Sequence, residues 1–166
     1  MCIVYYLEKF LTVVERDWPL KGFVNILILL SLSIVVGCTS IEVAPIPVEE
    51  NLKEISIKEN PKVIVDDFLP FVEKEFHNRG IKTYKFKSSQ EAPTPYILTY
   101  TALQTWDFTT YLSHAELKLE KNGRTVAAAV YHLRAKGGLS LMKWQGTETK
   151  MTPVLDELLQ HYPLKE

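Results

Sequence analysis

Asn122-Gly123 lies between two stretches, residues 111–119 and 125–133, that alternate apolar with polar side chains. The dipeptide supplies the two consecutive positive φ angles that a two-residue type I′ hairpin turn needs. A turn of that kind sets the strand register. With Lys121 opposite Arg124, Leu119 faces Val126, Leu117 faces Ala128 and Ala115 faces Val130 on an apolar side. On the other side Glu120 faces Thr125, Lys118 faces Ala127, Glu116 faces Ala129 and His114 faces Tyr131. One face is therefore expected to be core and the other mostly wet.

The neighbouring segments extend the sheet. Residues 96–103 are β-branched and aromatic, residues 81–87 alternate, and residues 139–144 follow Gly137-Gly138 as a further strand. Ile55 and Ile57 alternate with polar residues as a short strand, while residues 63–65 read either as a second short strand or as a lead-in to a helix. That helix has Asp66 or Asp67 as its cap, Phe68, Phe71, Val72 and Phe76 as its apolar face, Pro70 in its first turn and Gly80 as its stop. A second helix is expected from a Thr152 cap and Pro153 at the first position, with Val154, Leu155, Leu158, Leu159 and Tyr162 as its stripe and Pro163 as its end. Two amphipathic helices and a sheet with one apolar face predict an α+β chain: a two-layer sandwich, a mostly antiparallel β-meander with both helices on one face.

The first quarter of the chain has a different character. Lys21 precedes fourteen residues, 23–36, interrupted only by Asn25, Ser31 and Ser33, and Gly37-Cys38 follow. At ~1.5 Å per residue this run spans roughly 21 Å, short of the ~30 Å hydrocarbon core. A positive residue, a short apolar region and a small residue at the break form a signal-peptide pattern. Ile34-Val35-Val36-Gly37-Cys38 resembles the lipobox of bacterial lipoproteins. The resemblance implies cleavage between Gly37 and Cys38, diacylglycerol on the Cys38 thiol and acylation of the new amine. Thr39 after that cysteine, in place of aspartate, implies the periplasmic face of the outer membrane in a Gram-negative cell; in a Gram-positive cell the anchor would lie on the outside of the plasma membrane.

The expected organisation follows. Residues 1–19 carry Lys9 and Arg16 against Glu8, Glu15 and Asp17, the wrong sign for a signal, and read as a mis-assigned extension or as a long n-region. Residues 20–37 are the signal peptide and residues 38–52, with Pro45 and Pro47, a lipidated tether. Residues 53–166 are the periplasmic domain. Removing 37 of the 166 residues leaves 129, with 16 basic and 17 acidic side chains. That near-neutral balance excludes a phosphate-binding, nucleic-acid surface.

Little catalytic chemistry is legible. Cys38 is the only cysteine after the signal, so no soft-metal or thiol site is expected, no glycine spacing suits a phosphate, and no cofactor is implied. His77, His114, His132 and His161 lack metal-ligand spacing. The register above places His114, Glu116 and Tyr131 on one polar face, where an imidazole beside a carboxylate can serve as a base. Trp106 and Trp144, near strand ends, are either interface anchors or plugs at the core's edge. Lys82, Lys85 and Lys87 read as a solvated strand edge. Across residues 96–159 the runs WDFTTYLSHAELKLEKNGRTVAAAVYHL, GGLSLMKW and TPVLDELL resemble a family of small Gram-negative lipoproteins with no assigned activity, which implies the fold and the anchor and no active site. The expected role is a non-enzymatic, lipid-anchored module whose partners are the membrane, through its lipid, and an envelope protein. A structural subunit of a larger complex comes second, and a hydrolase using the polar sheet face third.

Overall fold

The β-branched and aromatic runs form a six-stranded mixed sheet in the order β1-β6-β5-β4-β2-β3. The strands are β1 (Thr39–Ala44), β2 (Glu54–Lys58), β3 (Lys82–Phe86), β4 (Tyr96–Asp107), β5 (Thr109–Lys121) and β6 (Arg124–Leu133). Two helices, α1 (Phe68–Asn78) and α2 (Thr147–Leu158), complete the fold, with 3-10 turns at Val48–Glu50 and Leu141–Trp144. The structure is a computed structural model and describes residues 39–134 and 141–165. The segment read as a signal peptide, with Gly37, Cys38 and the Gly137-Gly138 pair, lies outside these residues.

β4, β5 and β6 pair antiparallel in sequence order, and β1 joins β6 antiparallel. β2, however, runs parallel to both β3 and β4. The sheet is thus mixed, because α1 returns the chain from β2 to a parallel β3 as a βαβ crossover. The connection from β3 must then cross β2 to reach β4. It brings Thr94 onto Ser56, whose hydroxyl accepts the Thr94 N–H at 2.8 Å and shares a 3.0 Å bond with its hydroxyl. Ser56 is fully buried as a result.

Asn122 (φ 50°) and Gly123 (φ 77°) form the expected positive-φ turn. The register it starts does not persist. Lys121 pairs with Arg124 and Glu120 with Thr125, but Leu119 then pairs with Ala127, so Val126 is an extra residue in a β-bulge. Beyond it Leu117 faces Ala129, Ala115 faces Tyr131 and His114 faces His132. The unbulged register would have sent His132 into the core and Tyr131 and Leu133 to solvent. The bulge reverses this, burying Tyr131 and Leu133, each worth roughly 1.5–3 kcal/mol over exposure.

α1 forms as its pattern requires. Phe68, Phe71, Val72 and Phe76 are buried, Pro70 stands in the first turn, and Gly80 at φ 73° ends the segment, its N–H bonded to the His77 carbonyl at 2.8 Å. Asp67 holds the N-cap position but turns its carboxylate to the Thr147 hydroxyl, 2.9 Å away, tying the start of α1 to that of α2. Residues 63–65 are lead-in, not strand.

α2 departs from expectation. It begins at Thr147 with Gly146 as N-cap, so Thr152 is no cap and Pro153 lies inside the helix. Thr152 instead donates its hydroxyl to the Glu148 carbonyl at 2.8 Å. Burial of Thr147, Lys150 and Met151 holds the extra turn, which outweighs the backbone hydrogen bond that the proline cannot donate. Similarly, residues 141–144 are a 3-10 turn and not the end of a strand. Helix and sheet residues meet in one core, where Phe68 stacks on Tyr100 at 5.9 Å and Met151, Val154, Leu155 and Leu158 join Ile55, Ile57, Leu98 and Leu117.

The segment read as a tether is part of the fold. All six residues of β1 pair with β6, and Ile46 is fully buried with its N–H on the Leu158 carbonyl at 2.9 Å. The Leu52 N–H reaches the Tyr162 hydroxyl at 3.0 Å. Pro45 and Pro47 conceal this in the sequence because they read as linker residues, yet they flank the buried Ile46 without preventing its burial.

Candidate functional site

The side of the sheet opposite the core carries Thr99, Thr101 and Leu103 of β4, Glu116 and His114 of β5 and Val130 and His132 of β6, by strand register. Alternation along β5 puts His114 and Glu116 two residues apart on this side, with His114 Nε2 3.1 Å from Glu116 Oε1. His132 packs edge-on against His114, ring centroids 5.5 Å apart. Tyr131 does not join them. The bulge turns it into the core, where it is 2 % exposed and burial pushes its hydroxyl pKa up to about 12. Reasoning from an unbulged hairpin missed His132; the signal was present in Tyr131-His132-Leu133, where the apolar neighbours must face one way and the imidazole the other. The surviving His-Glu pair is open to water. Among the described residues no group of three or more His, Cys, Asp or Glu side chains is placed to hold a metal ion.

Trp144 meets the turn that directly follows Trp106. The turn between β4 and β5 centres on Phe108, at φ 59°. Its exposure is 87 %, with Trp106 at 73 %, Leu103 at 51 % and Trp144 at 38 %. The 3-10 turn Leu141–Trp144 supports this tip: the Trp144 indole N–H donates to the Asp107 carbonyl at 3.1 Å, and its ring meets Phe108 edge-on at 6.4 Å. Asp107 receives Lys143 Nζ at 2.5 Å, and the same ammonium sits 4.7 Å from the centroid of the Trp144 ring. The tryptophans are therefore not core plugs. Phe108 completes the cluster and was missed, although WDF is visible in the sequence.

Two cationic groups are structural. Lys150 is buried and donates to the Leu112 carbonyl at 2.9 Å and the Lys143 carbonyl at 2.5 Å, and desolvation brings its pKa down to about 8. At the opposite end of the sheet Lys121 lies 2.6 Å from Glu50, which also accepts the Tyr96 hydroxyl at 2.6 Å. These two bonds, Lys121 first, lower the Glu50 pKa. The Lys121 pKa is raised chiefly by its bond to Glu50. Lys82 and Lys85 sit on the edge strand β3, with Lys85 3.2 Å from Glu73.

A cleft of about 550 Å³ opens where β2 ends beside β4, lined by Asn60, Pro61, Leu69, Lys87 and Tyr100 among others. Its central polar groups satisfy one another, the Asn60 amide donating to the Tyr100 carbonyl at 2.9 Å. Glu59, Ser88 and Ser89 also line the cleft. β2 accompanies β4 only at Ile97 and Leu98, and among the described residues 101–107 have no strand partner on that side. No helix of the described residues is long and apolar enough to cross a membrane.

No family model matches the chain, and no curated protein matches it. Among solved structures it is similar to the PelC dodecamer from Paraburkholderia phytofirmans, at 11 % identity and a TM-score of 0.48 over 77 % of this chain and 99 % of that one. A PelC variant dodecamer from the same organism, in a different space group, gives the same values.

Proposed function

We propose that the chain is a lipid-anchored envelope lipoprotein acting in the periplasm as a non-enzymatic binding or accessory module, held at the outer membrane through Cys38. The observation that carries the reading is the lipobox-like Ile34-Val35-Val36-Gly37-Cys38 at the end of a short apolar run with a positive residue before it. The site chemistry supports a binding role over catalysis: the His114-Glu116 pair lies open to water on the sheet face, with His132 edge-on beside it. Both helices cover one face of the sheet, and the other face offers the partner surface together with the unpartnered edge of β4 and the outer edge of β1. An extended partner segment would add to such an edge through main-chain hydrogen bonds.

Metabolic labelling with a palmitate analogue tests the anchor. The wild-type protein takes up label and fractionates with outer membrane, and Cys38→Ala abolishes the label and leaves the signal uncut. Label retained in Cys38→Ala, or none in the wild type, refutes the reading. Pull-down after mild detergent extraction tests the module: hydrolytic activity from a partnerless monomer, lost in His114→Ala, would refute it in favour of an enzyme.

A further inference from the structure

We infer that the β4-β5 hairpin tip, Trp106 and Phe108 with Trp144 beneath them, inserts into the lipid bilayer as a second membrane contact beside the acylated Cys38. The inference rests on the lipoprotein reading for its first anchor and on strand register for its second.

Register determines which end of the sheet faces the lipid. Thr39 pairs with Leu133, and His132 pairs with His114. Thr39 therefore lies level with Ser113 across the sheet. β1 and β5 run the same way because each is antiparallel to β6. β1 thus begins at the end of the sheet toward which the numbers of β5 fall, which is the direction of the tip. Cys38, one peptide bond from Thr39, has no tether to separate it from the fold, since β1 begins pairing at Thr39 itself. Phe108 lies five positions beyond Ser113, about 17 Å further along the strand at ~3.3 Å per residue. With its lipid in one leaflet, Cys38 holds this end of the sheet at the membrane, and inclined strands bring the tip to the headgroup–acyl boundary, where tryptophan is favoured.

The surface at this end suits that boundary. Residues 103–113 contain a single charged side chain, Asp107, and Lys143 neutralises it at 2.5 Å. Desolvating the tip therefore strands no lone charge there. Four large apolar residues, Leu103, Trp106, Phe108 and Trp144, stay exposed around it, an arrangement that marks an interaction site on a folded surface. The backbone adds an independent observation. Phe108 occupies a left-handed conformation that disfavours a bulky side chain, so the turn keeps an aromatic ring against both solvation and steric preference. At the start of β1 the exposed Arg134, 3.2 Å from the Ser40 hydroxyl, offers a guanidinium to lipid phosphates. The far end of the sheet is instead charged, with Lys121, Arg124, Glu120 and Glu50.

Tryptophan emission reads the tip directly, because Trp106 and Trp144 are the only tryptophans after Cys38. All variants carry Trp18→Phe, so the readout does not depend on signal cleavage. The protein purified from membranes is placed in phosphatidylethanolamine–phosphatidylglycerol vesicles, with acyl chains either plain or brominated near their glycerol end. Insertion predicts blue-shifted emission, loss of half or more of it to the brominated lipid, and protection from acrylamide. Phe108→Asp restores water-exposed emission while far-ultraviolet circular dichroism and the Cys38 label stay unchanged. In the unacylated Cys38→Ser protein, Phe108→Asp lowers vesicle partitioning at least tenfold. Emission indifferent to vesicles and open to acrylamide overturns the inference. So does protection that grows with protein concentration without lipid, which would make the tip a contact between copies. A mass measurement at Cys38 keeps the two readings apart: an unmodified Cys38 with a quenched tip overturns the lipoprotein reading and leaves the insertion standing.

Discussion

Replacing Ile46 by alanine measures whether the residues after Cys38 are fold or tether. The Ile46 side chain is fully buried between Pro45 and Pro47, and its N–H is held by the Leu158 carbonyl at the end of α2. A tether residue contributes nothing to the free energy of folding. A core residue loses three methylene equivalents, about 2.4 kcal/mol at ~0.8 each. Partial collapse of the space left behind raises that to about 2.5–4 kcal/mol, within the range of large-to-small core changes. Val48, two residues on and 58 % exposed, is the matched control, and Val48→Ala changes stability by about 0.5 kcal/mol or less. Urea unfolding followed by far-ultraviolet circular dichroism reads both, and a shift in midpoint at constant slope isolates the stability change. If Ile46→Ala unfolds within about 0.5 kcal/mol of wild type, the segment is not docked and the proximity of Cys38 to the sheet falls with it.

Further expectations follow from other buried groups. The folded-state pKa of Lys150, about 8, lies below its ordinary value of 10.5, so the unfolded chain binds more protons between these values and stability rises with pH across that window. The rise is about 1–3 kcal/mol after allowing for incomplete desolvation, and Lys150→Met flattens it in urea titrations at pH 8 and pH 10. Arg79, with its side chain 5 % exposed, joins Glu75 in α1 to Asp156 in α2 at 2.5 Å each. Arg79→Ala costs about 2–3 kcal/mol because Glu75, its side chain 13 % exposed, keeps only the Asn78 amide at 3.3 Å as partner while Asp156 recovers water, and a loss below about 0.5 kcal/mol by the same unfolding assay refutes the bridge. At Gly123 nothing lies within 4 Å of where a Cβ would stand, so Gly123→Ala expresses only the cost of its positive φ, about 1–2 kcal/mol by thermal or urea unfolding.

Local rules account for the elements and for their faces where the pattern is unambiguous. Asn122-Gly123 dictates its turn through backbone sterics alone, and Phe68, Phe71, Val72 and Phe76 dictate α1 through helical spacing, because both signals lie within one or two turns of chain. The polar pair His114 and Glu116 is legible for the same reason, as strand alternation places them together. What long-range packing decided is of another kind. Three consecutive alanines, 127–129, suit either face of a sheet, so only the competition between burying Tyr131 with Leu133 and burying His132 selects the bulged register. Pro153 reads locally as a helix start, yet Lys150 and Met151 gain enough burial against the sheet to extend α2 past it. Pro45 and Pro47 read as a linker until β6 offers β1 a ladder of hydrogen bonds. Phe108 and Trp144 meet only because the turn of β4 into β5 meets the segment before α2, a juxtaposition of residues far apart in the chain that no local spacing encodes.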